Sequence, residues 1–224
     1  MRCPRLISAL GLCSLLLYGC VDTAGSERAV YVVRPQDTVY SIAWRYGLDF
    51  RDLARWNNIG PDFHITVGQA LSLTPNGPQL AKQSSPATNA QVRRAPVRAP
   101  AGAGAPGWTW PTDRSGEPRQ VPGGGILLSG QVGQIIRAAC AGRVVYTGSG
   151  IRGYGNLIII KHGENLLSAY AHNRDSLVRD GQEVALGEVI GHMGEGAPSK
   201  PVLYFEIRRN GRPVDPLQFL PEIK

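Results

Sequence analysis

Asn156-Leu157-Ile158-Ile159-Ile160-Lys161 is a run of apolar, mostly β-branched residues, broken at Gly163 and resumed as Leu166-Leu167-Ser168-Ala169-Tyr170. β-Branched side chains fit a pleated surface, and a glycine between two such runs supplies a turn, so the stretch reads as a β-hairpin. Further short, glycine-punctuated strands are expected over 142–146, 165–171, 188–191 and 203–208. Within the last, Glu206 and Arg208 alternate with Phe205 and Ile207, which sets the two pairs on opposite faces. Which face lines a cleft stays open. Few segments between 108 and 224 keep helical spacing, so this unit of about 117 residues reads as a mainly antiparallel all-β domain.

Upstream, residues 29–73 form a smaller unit. Ala29 to Val33 is a strand-like run, and Asp37-Thr38 offers N-cap chemistry to a helix carrying Val39, Ile42, Ala43 and Tyr46 on one stripe. Gly47 stops that helix, and Asp49 caps a second with Phe50, Leu53 and Trp56 facing one core. Asn57-Asn58 ends it, and a Gly68-Gln69 turn feeds a strand over 70–73. The result is a small α+β unit, βααβ, whose size buries only a marginal core.

Between the two lies a linker over 74–107, in which 18 of 34 residues are Ala, Pro or Gly. So few large apolar side chains cannot offset ordering entropy, so a disordered, semi-rigid spacer is expected. Its charges are Lys82, Arg93, Arg94 and Arg98, so four of the chain's seven net positive charges sit here. Anionic cell-wall or lipid phosphates, or simply solvent, are the expected surroundings, and nucleic acid is not. Across the 224 residues, 42% apolar and 18% charged exclude both a highly charged disordered chain and a polytopic membrane protein. With 28 Gly and 17 Pro, a helical bundle is excluded as well.

The N-terminus reads as a targeting segment. Arg2 and Arg5 precede an uncharged stretch over 6–18 that is too short for a bilayer, which needs roughly 20 residues. It ends in Leu17-Tyr18-Gly19-Cys20, which resembles the lipobox of bacterial lipoproteins. That resemblance implies a signal peptide over 1–19, acylation at Cys20, a lipidated tether over 20–28, and an outer-membrane address because Val21 separates Cys20 from Asp22. An ordinary secretory signal with an incidental cysteine is the alternative. Cleavage would carry off Cys3 and Cys13, leaving Cys140, in an apolar stretch, as the free thiol and no intramolecular disulfide.

Tyr31-Val-Val-Arg-Pro-Gln-Asp-Thr-Val-Tyr-Ser-Ile-Ala43, Asn57-Asn58-Ile59 and Val67-Gly-Gln-Ala-Leu71 are similar to a LysM module. The resemblance implies binding of N-acetylglucosamine-containing glycan, here peptidoglycan, between Asp37, Thr38 and Val39 on one side and Ile59, Gly60, Pro61 and Ile65 on the other. A βααβ fold without glycan affinity is the alternative. In the larger domain, Trp110-Pro111, Gly142-Arg-Val-Val-Tyr146, Gly153-Tyr-Gly-Asn156, Tyr170-Ala-His-Asn173, Leu203 to Arg208 and Val214-Asp-Pro216 resemble the lysostaphin-type zinc endopeptidases, or LytM domains. Zinc catalysis needs three protein ligands and one open position. The family's positions fall here on Gly123, Leu127 and Tyr204, with Val202 for the catalytic histidine, so no metal, no cofactor and no catalytic residue is expected. His172 is expected as a groove-wall or partner-contact residue; His64, His162 and His192 are expected without carboxylate partners.

Lipobox, LysM module, tether and zinc-less LytM domain together resemble NlpD-type lipoproteins. That resemblance implies a non-enzymatic, outer-membrane, periplasm-facing protein, enriched at the division septum. It would bind peptidoglycan and activate an N-acetylmuramoyl-L-alanine amidase during daughter-cell separation. The partner groove is expected at Tyr154, His172, Tyr204, Glu206 and Arg208. The alternatives are a passive peptidoglycan–outer-membrane linker and a residual zinc endopeptidase cutting crosslinks.

Overall fold

Thr38 starts the first helix by two reciprocal bonds. Its hydroxyl accepts from Ser41 N at 3.1 Å, and Ser41 Oγ accepts from Thr38 N at 3.0 Å, a capping box with serine in place of the usual glutamate. In the computed structural model, which describes residues 30–75, 107–113, 116–196 and 200–222, this helix is α1 (Val39–Tyr46). Gly47 ends it at φ 65°, where a Cβ would be strained. Asp49 caps α2 (Phe50–Trp56) by accepting from Arg51 N at 2.8 Å. The helices are bracketed by β1 (Val30–Val32) and β2 (Ala70–Ser72), antiparallel with Tyr31 opposite Leu71. Asn57 ties α2 to β2: its amide donates to Leu53 O and Ser72 O, each at 2.8 Å, and its Oδ1 accepts from Ser72 N at 2.6 Å. The expectations for the signal, Cys20, the lipidated tether and nearly all of the linker lie outside the described residues.

The second unit is the expected antiparallel β domain. Its strands are β3 (Arg119–Gln120), β4 (Ile126–Ser129), β5 (Ile135–Arg137), β6 (Gly142–Gly148), β7 (Asn156–His162) and β8 (Leu166–Ser176). They continue as β9 (Glu183–Val184), β10 (Val189–Met193), β11 (Glu195–Gly196), β12 (Lys200–Arg209) and β13 (Arg212–Val214). The sheet runs β3-β4-β12-β8-β7-β6-β9, with β10 pairing β5 and the far end of β8. The 156–170 hairpin forms as read, with Ile159 opposite Ala169. Strand 165–171 continues to Ser176, and the strand expected over 188–191 lies at 189–193. Among the described residues no helix is long and apolar enough to cross a membrane.

Alternation along the central strands makes two cores. Ile158, Ile160, Tyr170, Leu203, Phe205 and Ile207 face one way, packed with Ile126, Leu128, Ile136 and Met193. Leu157, Ile159, Leu167, Ala169 and Ala171 face the other way and share one apolar cluster with Ile42, Trp44, Phe50 and Leu53 of the small unit. The central sheet is therefore covered on both sides, and the second cover is the βααβ module.

Candidate functional site

Tyr204, Glu206 and Arg208 project from β12 on the side away from Phe205 and Ile207, toward the small module. Register sets Tyr204 between Leu127 on β4 and Ala171 on β8. Leu127 and Tyr204, two of the three positions that the resemblance aligns with metal ligands, are thus neighbours. His172 follows Ala171 with its ring centroid 6.5 Å from that of Tyr204. Gly123 stands apart in the preceding loop at φ 104°, with open space where a Cβ would be. Gly196 lies between Val202 and His172: a Cβ there would meet Val202 Cγ2 at 2.3 Å and His172 Cδ2 at 3.4 Å.

A hydrogen-bonded carboxylate occupies the centre of this face. Glu206 Oε2 accepts from Tyr204 Oη at 2.6 Å and Tyr154 Oη at 3.4 Å, while Oε1 accepts from Arg208 Nε at 2.6 Å. Glu206 is 1% exposed and Arg208 8%, so the charges are paired, as burial requires. Burial, then the Glu206 carboxylate, pushes the phenols of Tyr204 and Tyr154 upward and keeps both protonated. Burial pushes the His172 imidazole down. His172 also sits at φ 63°, sparsely populated for a non-glycine residue, and is held there by its N–H donating to Tyr154 O and its carbonyl accepting from Gly194 N–H, each at 2.9 Å.

This donor set does not fit catalytic zinc. Glycine and leucine offer no ligand, and the Tyr204 hydroxyl is protonated and committed to Glu206. Among the described residues no three His, Cys, Asp or Glu side chains converge. One expectation is corrected. His192 was read as lacking a carboxylate partner, but Nδ1 lies 2.7 Å from Asp175 Oδ1 because β10 pairs with the end of β8. His162 is buried, bonded to Ala141 O and Ser168 Oγ, and Cys140 is a buried free thiol.

Two of the three residues expected on the β1–α1 side are tied into the module itself. Asp37 accepts from Tyr31 Oη at 2.6 Å, Arg34 N at 2.8 Å and Arg45 Nη2 at 3.2 Å, which leaves its carboxylate little capacity. Val39 is wholly buried, so its side chain cannot contact a sugar. On the other side Gly60 and Pro61 are exposed, while Ile59 and Ile65 are half-buried against the core. Phe63 links the two stretches, its ring centroid 5.4 Å from that of Tyr40.

Several residues at the junction carried no expectation. Trp44 lies on Arg208, whose guanidinium carbon is 3.7 Å from the ring centroid, and Arg208 Nη1 donates to Trp44 O at 2.8 Å. Thr38 Oγ1 donates to Val145 O at 3.1 Å, Arg45 Nη2 to Gly150 O at 3.2 Å, and Arg51 Nη2 to Asn210 Oδ1 at 2.7 Å. Beside them opens a cleft of about 610 Å³ with Arg34, Arg45, Arg152 and Arg208 in its lining. The sequence did hold one signal for this contact. Leu157 to Ile160 is apolar at four consecutive positions, as in a strand buried on both faces, which demands a second cover.

Comparison with known proteins agrees with this architecture. Residues 31–74 match the LysM domain, and residues 122–216 match peptidase family M23. A Pseudomonas aeruginosa protein named lipoprotein NlpD/LppB homolog is 42% identical over 85% of this chain and 76% of its own length. The murein hydrolase activator NlpD of Salmonella typhimurium is 36% identical over 89% of this chain and 69% of its own. The uncharacterized lipoprotein YgeR of Escherichia coli is 38% identical over 92% and 89%. With a LysM module, an M23-type β domain and these relatives, the chain belongs to the NlpD family of lipoproteins.

Proposed function

We propose that this chain is a non-enzymatic, outer-membrane lipoprotein that binds peptidoglycan through its LysM module and activates an N-acetylmuramoyl-L-alanine amidase at the septum. The observation that carries this reading is the Tyr204–Glu206–Arg208 network in a groove of the M23-type domain where, among the described residues, no set of metal ligands converges. The names of relatives as murein hydrolase activators support it. A groove with fixed donors and acceptors, and among the described residues no set of side chains to hold a metal, is suited to holding a peptide segment rather than cutting one. Activation is then a population shift: the groove binds the amidase's open form more tightly than its closed form.

The test adds purified chain to a periplasmic amidase and dye-labelled peptidoglycan. Dye release is expected to rise with the chain and to be absent with the chain alone. Release by the chain alone, together with stoichiometric zinc, would establish the endopeptidase reading instead. Unchanged amidase activity, in a chain that still sediments with cell wall, would leave only a passive linker.

A further inference from the structure

Glu206 and Arg208, proposed above to hold a partner, lie beneath the chain's own LysM module. We propose that this module is a glycan-released cover: docked, it closes the M23-type groove, and binding of an N-acetylglucosamine chain lifts it. The inference rests on the groove reading and concerns regulation of that same site.

The fit of the cover is the first observation. Trp44 is 3% exposed and lies on Arg208, and the backbone carbonyl of Trp44 takes one of the Arg208 donors. On the other flank the turn at Gly211 abuts Leu48 and Asp49 so closely that a Cβ would fall 2.5 Å from Leu48 O and from Asp49 N. Hydrogen bonds at Thr38, Arg45 and Arg51 fix the register between these points. A partner reaching Glu206, which is 1% exposed, must displace the module first.

The second observation supplies the release. Thr38, half-buried and one of the residues expected to meet glycan, donates its hydroxyl to Val145 O of β6. One wall of the expected sugar groove is therefore also a docking surface, while Gly60 and Pro61 on the other wall remain exposed. A glycan engaging both walls competes with docking. By linkage, whatever factor glycan contributes to groove opening, a groove-bound partner returns to glycan affinity.

Hydroxyl-radical footprinting of the full chain reads Trp44 directly. Alone, Trp44 is expected to be protected; saturating N-acetylglucosamine tetramer should raise its oxidation at least threefold. Gly211→Asn should do so without sugar, because asparagine tolerates the left-handed turn while its Cβ wedges against Leu48. Arg51→Ala, which removes the bond to Asn210, is the second opening variant and avoids the turn. Trp44 oxidation that the tetramer leaves unchanged overturns the glycan-released cover. With an amidase, Gly211→Asn should reach half-maximal activation at a tenfold lower concentration. If it exposes Trp44 yet activates at the wild-type concentration, the cover is refuted and the activator reading stands. If Trp44 responds as expected while neither protein activates, the activator reading fails and the cover stands.

Discussion

Acid should weaken the M23-type domain, and the loss carried by the buried His162 can be worked out. Its Nδ1–H donates to Ala141 O at 2.8 Å, its Nε2 faces Ser168 Oγ at 2.7 Å, and Trp108 closes over it at 5.0 Å between ring centroids. With 4% of its surface exposed, burial holds its pKa down to about 4. In the unfolded chain it titrates near 6.5. A folded pKa below the unfolded one means the unfolded chain takes up the proton first, so stability is intact above about pH 6.5 and is lost as pH falls toward 4. Between pH 7.5 and 4.5 the difference amounts to about 2.5 kcal/mol. Urea unfolding at both pH values, followed by tryptophan fluorescence, measures it. His162→Gln removes the titration; it starts less stable because its amide replaces an aromatic packed on Trp108, so the loss on acidification is what is compared. Carboxylates titrate alike in both proteins, and wild type should lose about 2.5 kcal/mol more than the variant. Losses that agree within about 0.5 kcal/mol would refute burial as the cause.

Two further outcomes follow from groups described above. Asn57→Ala strips the carbonyls of Leu53 and Ser72 and the Ser72 N–H of their partner, and should cost the LysM module about 2–3 kcal/mol in thermal unfolding, with a loss near zero contradicting the stitch. Cys140 is wholly buried and its thiol is pushed up to about 11 by burial, so iodoacetamide at pH 8 should label it only after urea is added; labelling of native protein at a free-thiol rate would contradict its placement.

The sequence was most informative where local chemistry acts alone. Thr38 and Asp49 cap their helices because a short oxygen side chain can reach a free N–H, and Gly47 closes α1 because αL favours glycine. The 156–170 hairpin was legible from its glycine and β-branched arms. Strand ends were less so, since β8 runs past His172 only because β10 pairs with its far end, a long-range fact. The groove residues were legible as positions but not as an environment. Alternation placed Glu206 and Arg208 on one face, yet their burial depends on Trp44, more than 160 residues upstream. Likewise Asp37 and Val39 carry the look of a binding loop, while the fold uses one for an internal ion pair and the other for the core.

The ring of Tyr204 sets what it would take to build a metal site in this groove. It fills the space over Gly125, where a Cβ would fall 2.5 Å from Tyr204 Cζ, and its hydroxyl is one of the donors that satisfy the buried Glu206. Histidine at that position would leave a gap above Gly125 and remove a donor from a carboxylate that cannot reach water. Introducing metal ligands at 123, 127 and 204 would therefore meet a pocket packed around a phenol. Three substitutions alone would carry that packing cost with them, so a metal-binding variant also needs the space over Gly125 and the donors to Glu206 refitted.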